Sequence, residues 1–140
     1  MYQLNDQEVF MDVSDGIAII INFESGIYHG ANLLGTWVLE QLCAGHGQQE
    51  ILAQIQRLPR CPDDMEERLA SFIEDLRTLH ILADGGPATN DKIKPPAAKM
   101  AKESKFNLTI TTYNDAQDLL FADPIHEVDE AEGWLPEKKG

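Results

Sequence analysis

Lysine is missing from residues 1–82, cysteine occurs only at Cys43 and Cys61, and no apolar run approaches the ~20 residues needed to cross a bilayer. Each absence removes a class of function. Residues 1–82 hold 13 acidic side chains against four arginines, a net −9. Nucleic-acid affinity rests on Lys and Arg displacing counterions from phosphates, so no nucleic-acid partner is expected. The two cysteines show no CxxC spacing and read as idle thiols rather than a disulfide or redox pair. Met1-Tyr2-Gln3-Leu4-Asn5-Asp6 has neither a basic nor an apolar signal region, so the expected location is cytoplasmic, with no membrane contact. His29, His46, His80 and His126 never fall at metal-ligand spacing. With no Ser/His/Asp set, P-loop or dinucleotide turn either, no enzyme activity, catalytic residue, metal or cofactor is expected.

What the chain does contain is concentrated between Asp15 and Leu42. Ile17, Ala18, Ile19, Ile20 and Ile21 form a β-rich apolar block, Asn22-Phe23-Glu24-Ser25-Gly26 supplies turn chemistry, and Ile27-Tyr28-His29 resumes in extended form. Asn32 stands at a helix N-cap position, with Leu34, Trp37, Val38 and Leu42 at helical spacing behind it and Trp37 facing inward. Val9, Met11 and Val13 alternate as an earlier strand. A second helix carries Ile51, Leu52, Ile55 and Leu58 and ends at Pro59. A third, capped by Asp63 or Asp64, carries Met65, Leu69, Phe72, Ile73, Leu76 and Leu79 and runs until Gly85-Gly86-Pro87. Three strands followed by three helices make an α+β domain over residues 1–83.

Two further blocks follow. Residues 84–105 are rich in Ala, Lys, Pro and Gly, carry +2, lack apolar periodicity, and read as a flexible linker. Residues 106–140 are an acidic tail of −6. The alternating stretch Lys105 to Tyr113 is strand-like, Asp115–Phe121 could make one or two helical turns, and DPIHEVDEAEGWLP is acidic with isolated apolar points.

Residues 7 to 83 resemble the PqqD family, the small leader-peptide-binding domains also called RiPP recognition elements. The matching features are Asp15-Gly16 opening an apolar strand, the Phe23-Glu24-Ser25-Gly26 turn, the run Ile27-Tyr28-His29-Gly30-Ala31-Asn32, and Gly35-Thr36-Trp37 on the first helix. The resemblance implies a winged-helix-like fold with a three-stranded antiparallel sheet and three helices. It also implies a non-catalytic peptide chaperone of natural-product biosynthesis that binds a precursor's leader as an added strand and presents it to a peptide-modifying enzyme. The groove it implies lies between the last strand and the third helix, with Ile27, Tyr28, His29 and Ala31 on one side and Arg68, Phe72, Asp75, Leu76 and Leu79 on the other.

Three roles compete for the tail. Phe106, Leu108, Ile110 and Tyr113 could dock in the domain's own groove as a placeholder, the tail could dock on a partner enzyme, or it could be a solvated acidic extension. For the whole chain, the other readings are a winged-helix regulator that binds protein and a stabilising subunit of an enzyme. Self-association through a free sheet edge or the tail is a further expected option.

Overall fold

A computed structural model of the chain describes residues 1–113 together with two short paired strands, Trp134–Leu135 and Glu137–Lys139. The expected acidic stretch and the helical turns over Asp115–Phe121 fall largely or wholly outside the described residues.

Strand alternation sets the first large unit. β2 (Val9–Ser14) and β3 (Ile17–Asn22) pair antiparallel from Val9↔Asn22 to Ser14↔Ile17. Asp15 and Gly16 join them with φ of 55° and 78°, the two positive values that a tight hairpin turn requires. At the next turn the Asn22 carboxamide oxygen accepts from the Glu24 and Ser25 N–H groups at 2.9 and 3.0 Å, and Gly26 turns the chain at φ 74°. β4 (Tyr28–Ala31) then pairs with β3, Ile20 opposite His29.

The helices follow in the expected order. α1 (Leu33–Ala44) begins at the Asn32 cap and ends at Gly45, whose φ of 102° and N–H bonds to Gln41 and Leu42 carbonyls close the last turn. A Cβ at Gly45 would sit 2.6 Å from the Pro87 carbonyl oxygen, so the position requires glycine for both conformation and space. α2 (Gln48–Gln56) buries Ile51, Leu52 and Ile55, while α3 (Met65–Thr78) buries Met65, Leu69, Phe72, Ile73 and Leu76. Together with Ile20, Leu34, Leu39 and Leu42 these form the main core, and Trp37 is 5% exposed within it.

The structure is α+β, but it exceeds three strands and three helices. A two-stranded antiparallel sheet joins β1 (Tyr2–Leu4) to β5 (Leu82–Asp84), and a four-stranded sheet runs in the order β2-β3-β4-β6, where β6 is Ile110–Tyr113. α3 also stops earlier than its glycines suggest. His80 turns at φ 63°, and the Ile81 N–H closes on the Leu76 carbonyl; Ile81 and Leu82 are thus freed to bury beside β1. Asp64 occupies the α3 N-cap position without a cap bond, because its carboxylate accepts from Arg68 Nε at 2.9 Å instead.

The segment read as a linker carries structure of its own. α4 (Ala98–Ser104) packs against α1 and buries Ala101, and Ile93 is 6% exposed beside α2. A seven-residue helix with one buried alanine leaves almost no periodic trace, which is why composition alone suggests a flexible tether. Among the described residues no helix is long and apolar enough to cross a membrane.

Because Ile93 is enclosed, Ile93→Ala is expected to cost about 2 kcal/mol. A urea midpoint identical to that of the unaltered chain would mean that this segment contributes nothing to the fold.

Candidate peptide-binding edge

β4 is four residues long, and β3 covers only one of its edges. Its other edge exposes backbone N–H and C=O groups that require partners. β6 supplies them, antiparallel, with Tyr28↔Tyr113, His29↔Thr112, Gly30↔Thr111 and Ala31↔Ile110, and it lies against α3. The pairing continues past β6, since the Asn32 N–H donates to the Thr109 carbonyl at 3.2 Å. The tail strand is shorter than the alternation from Lys105 suggests. Lys105 and Phe106 adopt φ of 53° and 60° to finish α4, and extended pairing begins only beyond that turn.

Asn32 is where the domain and this added segment meet. Its Oδ1 accepts from Gly35 N–H at 2.9 Å, capping α1, and from Thr109 N–H at 3.3 Å; its Nδ2 donates to the Asn107 carbonyl at 2.8 Å. Next to it the Leu34 N–H donates to Ser104 Oγ at 3.3 Å, so α4 satisfies another free donor at the α1 terminus. Gly35 is needed here for space. A Cβ would lie 2.7 Å from Asn32 Oδ1 and 3.1 Å from the Phe72 ring, breaking the contact between cap and α3.

The sequence-predicted site residues divide into groups. His29 and Ala31 are buried on β4, Tyr28 is half-buried, and Ile27 precedes the strand half-buried. Arg68 reaches the added segment from α3, donating through Nη1 to the Lys105 carbonyl at 3.4 Å and to Asn107 Oδ1 at 3.3 Å. Phe72 and Leu76 are closed inside the core at 1% and 0% exposure, Leu79 is half-buried, and Asp75 faces solvent. On the tail side Phe106 is buried, and Leu108, Ile110 and Tyr113 are half-buried. Tyr113 stands opposite Tyr28 and over Gly30, where an added Cβ would come within 3.9 Å of its ring. The sequence marks Asn32 as a helix cap alone. Its second role depends on a segment 75 residues away and leaves no local signal.

His29 Nδ1 and Thr112 Oγ1 share a hydrogen bond at 3.0 Å, and burial holds the imidazole below its usual 6.5. Burial, with the Glu40 carboxylate adding to it, pushes the Cys43 thiol up to about 11, far from a reactive thiolate. Among the described residues no three His, Cys, Asp or Glu side chains are placed to hold a metal ion. Compared with models of known families, with curated proteins and with solved structures, the chain matches none.

Two outcomes follow from this geometry. Asn32→Ala is expected to lower stability by about 1–2 kcal/mol through the lost cap and to raise amide exchange at Ile110–Tyr113. Asn32→Asp, which keeps both acceptor bonds, should fall between; exchange at β6 that ignores Asn32 would refute the coupling. The His29 pKa is lowered on folding, so the unfolded chain binds the extra proton and stability falls as pH drops below 6.5 toward the folded value. A thermal profile between pH 7 and roughly pH 5.5 should therefore flatten in His29→Gln, and equal slopes would remove His29 as the cause.

Proposed function

We propose that this chain is a non-catalytic peptide chaperone: it takes up the leader of a ribosomal precursor peptide by strand addition and presents it to a separate modifying enzyme. The observation that carries the reading is the seat of β6, an extended segment added to the β4 edge beside α3. An acceptor edge of this kind gives affinity through main-chain pairing and selectivity through alternate side chains. In this reading β2, β3 and β4 with α1, α2 and α3 form the winged-helix-like unit of a PqqD-like domain, and β1, β5 and α4 are additions to it.

β6 then acts as a placeholder. Tethering gives it an effective concentration on the order of millimolar, so modest intrinsic affinity keeps the edge filled until a leader displaces it. Displacement exchanges one ladder for another and leaves no backbone group of β4 unpaired. The partners are accordingly a precursor peptide and a cytoplasmic modifying enzyme.

Strand pairs alternate, and Asn32–Thr109 is a hydrogen-bonded pair; Gly30–Thr111 is therefore the next one. Thr111→Pro deletes a ladder donor and weakens β6 without touching the domain. The leader of a short precursor encoded beside the gene should bind the full chain one-to-one by calorimetry, and bind the Thr111→Pro form roughly tenfold tighter or more. Binding by neither form would end the chaperone reading.

A further inference from the structure

Five of the chain's 11 lysines and arginines line one recess of about 710 Å³. Arg60 comes from the loop between α2 and α3, Arg68 from α3, Lys99 and Lys102 from α4, and Lys105 from the turn after it. Among the described residues no Asp or Glu lines the recess. Its floor is apolar, built from Leu58, Pro62 and the buried Phe106. Arg68 pairs with Asp64 and Lys99 lies 3.8 Å from Glu103, while Arg60, Lys102 and Lys105 make no ion pair among the described residues.

Five cations gathered in one recess make a local region of positive potential on a chain of net −13, and such a region attracts carboxylates. Arg60, Lys105 and Phe106 take positive φ of 68°, 53° and 60°; at Lys105 and Phe106 the left-handed backbone closes α4, and these turns bring the side chains to the recess.

We infer that this recess binds an acidic peptide segment carrying an apolar side chain. The carboxylates face the Arg and Lys rim, and the apolar side chain rests on Leu58, Pro62 and Phe106. Guanidinium groups at positions 60 and 68 donate paired N–H bonds to carboxylate oxygens, and the three ammonium groups add unspecific attraction. This site is separate from the strand edge and requires no displacement of β6, since Lys105 and Phe106, which lead into β6, form part of its wall. Its acidic ligand is defined by charge and one apolar anchor, with no requirement for an extended pairing strand.

The test uses the full chain and the labelled pentapeptide Asp-Glu-Phe-Asp-Glu, blocked at both ends, followed by fluorescence anisotropy. Saturable binding is expected, weakened at least tenfold when the four carboxylates become amides or when the phenylalanine becomes serine. Arg60→Asn, Lys102→Gln and Lys105→Asn together should cause a similar loss, because asparagine tolerates the left-handed backbone while removing the charge. Lys92→Gln with Lys94→Gln, outside the recess, should leave affinity unchanged. No saturable binding, equal binding of the amide peptide, equal loss in the Lys92/Lys94 control, or tighter binding of tripolyphosphate or a short oligodeoxynucleotide would each overturn the assignment.

Discussion

The carboxamide of Asn32 is shared by two structures that are distant in sequence. A helix N-terminus leaves four N–H groups without intrahelical partners, and a capping side chain normally answers one of them. Here the oxygen that caps α1 also accepts Thr109 N–H, and the amide nitrogen holds the Asn107 carbonyl. The β4 strand ends one residue earlier, so the same residue fixes where the sheet stops, where the helix starts and where the returning chain enters. Loss of the side chain therefore unsettles three elements through one set of bonds. Gly35 and Phe72 belong to this constraint, because only an absent Cβ lets the α3 ring approach the cap.

The segment from Gly86 to Asn107 stabilises the return path in pieces. Ile93 lies against α2, Ala101 against the core and Phe106 at the recess floor, each enclosed although no long helix or strand connects them. Full burial of a large aliphatic or aromatic side chain contributes about 1.5–3 kcal/mol. Closing a flexible loop costs only slowly more as it lengthens. A few such anchors therefore offset the ordering of the segment before β6 adds its ladder bonds. The proposed exchange of β6 therefore needs only its own ladder bonds to open, with α4 and Ile93 held by separate contacts.

Much of the domain was legible in the sequence because its signals are local. Asp15-Gly16 between alternating strands, the Asn22 turn and the Asn32 cap each act within a few residues, and the α3 stripe repeats often enough to be read. The pairing of Tyr2–Leu4 with Leu82–Asp84 was not legible, since two three-residue strands eighty positions apart carry no usable period. The groove that the family resemblance implies has Phe72 and Leu76 on its wall; helical spacing gives their shared face, but the depth of closure comes from Gly35 and the opposing core. The charge blocks revealed a lysine-rich segment between two acidic ones. They could not reveal that Arg60 and Arg68, embedded in the acidic block, fold onto the same recess.

That convergence changes what the net charge means. At physiological salt the Debye length is about 8 Å, so a carboxylate approaching this chain feels chiefly the groups beside it rather than the total of −13. Most of the surface repels it, and one recess attracts it; the contrast, not the average, selects where an acidic segment can stay. The strand edge is governed by a different rule. Main-chain pairing is nearly blind to side-chain charge, and in the proposed function its selectivity would come from the half-buried positions around Tyr28 and Tyr113 and from the buried His29. The two proposed recognition surfaces, with different physics, meet at Lys105 and Phe106. A peptide long enough to reach both would be read once by charge and once by shape, which a surface of either kind alone could not do.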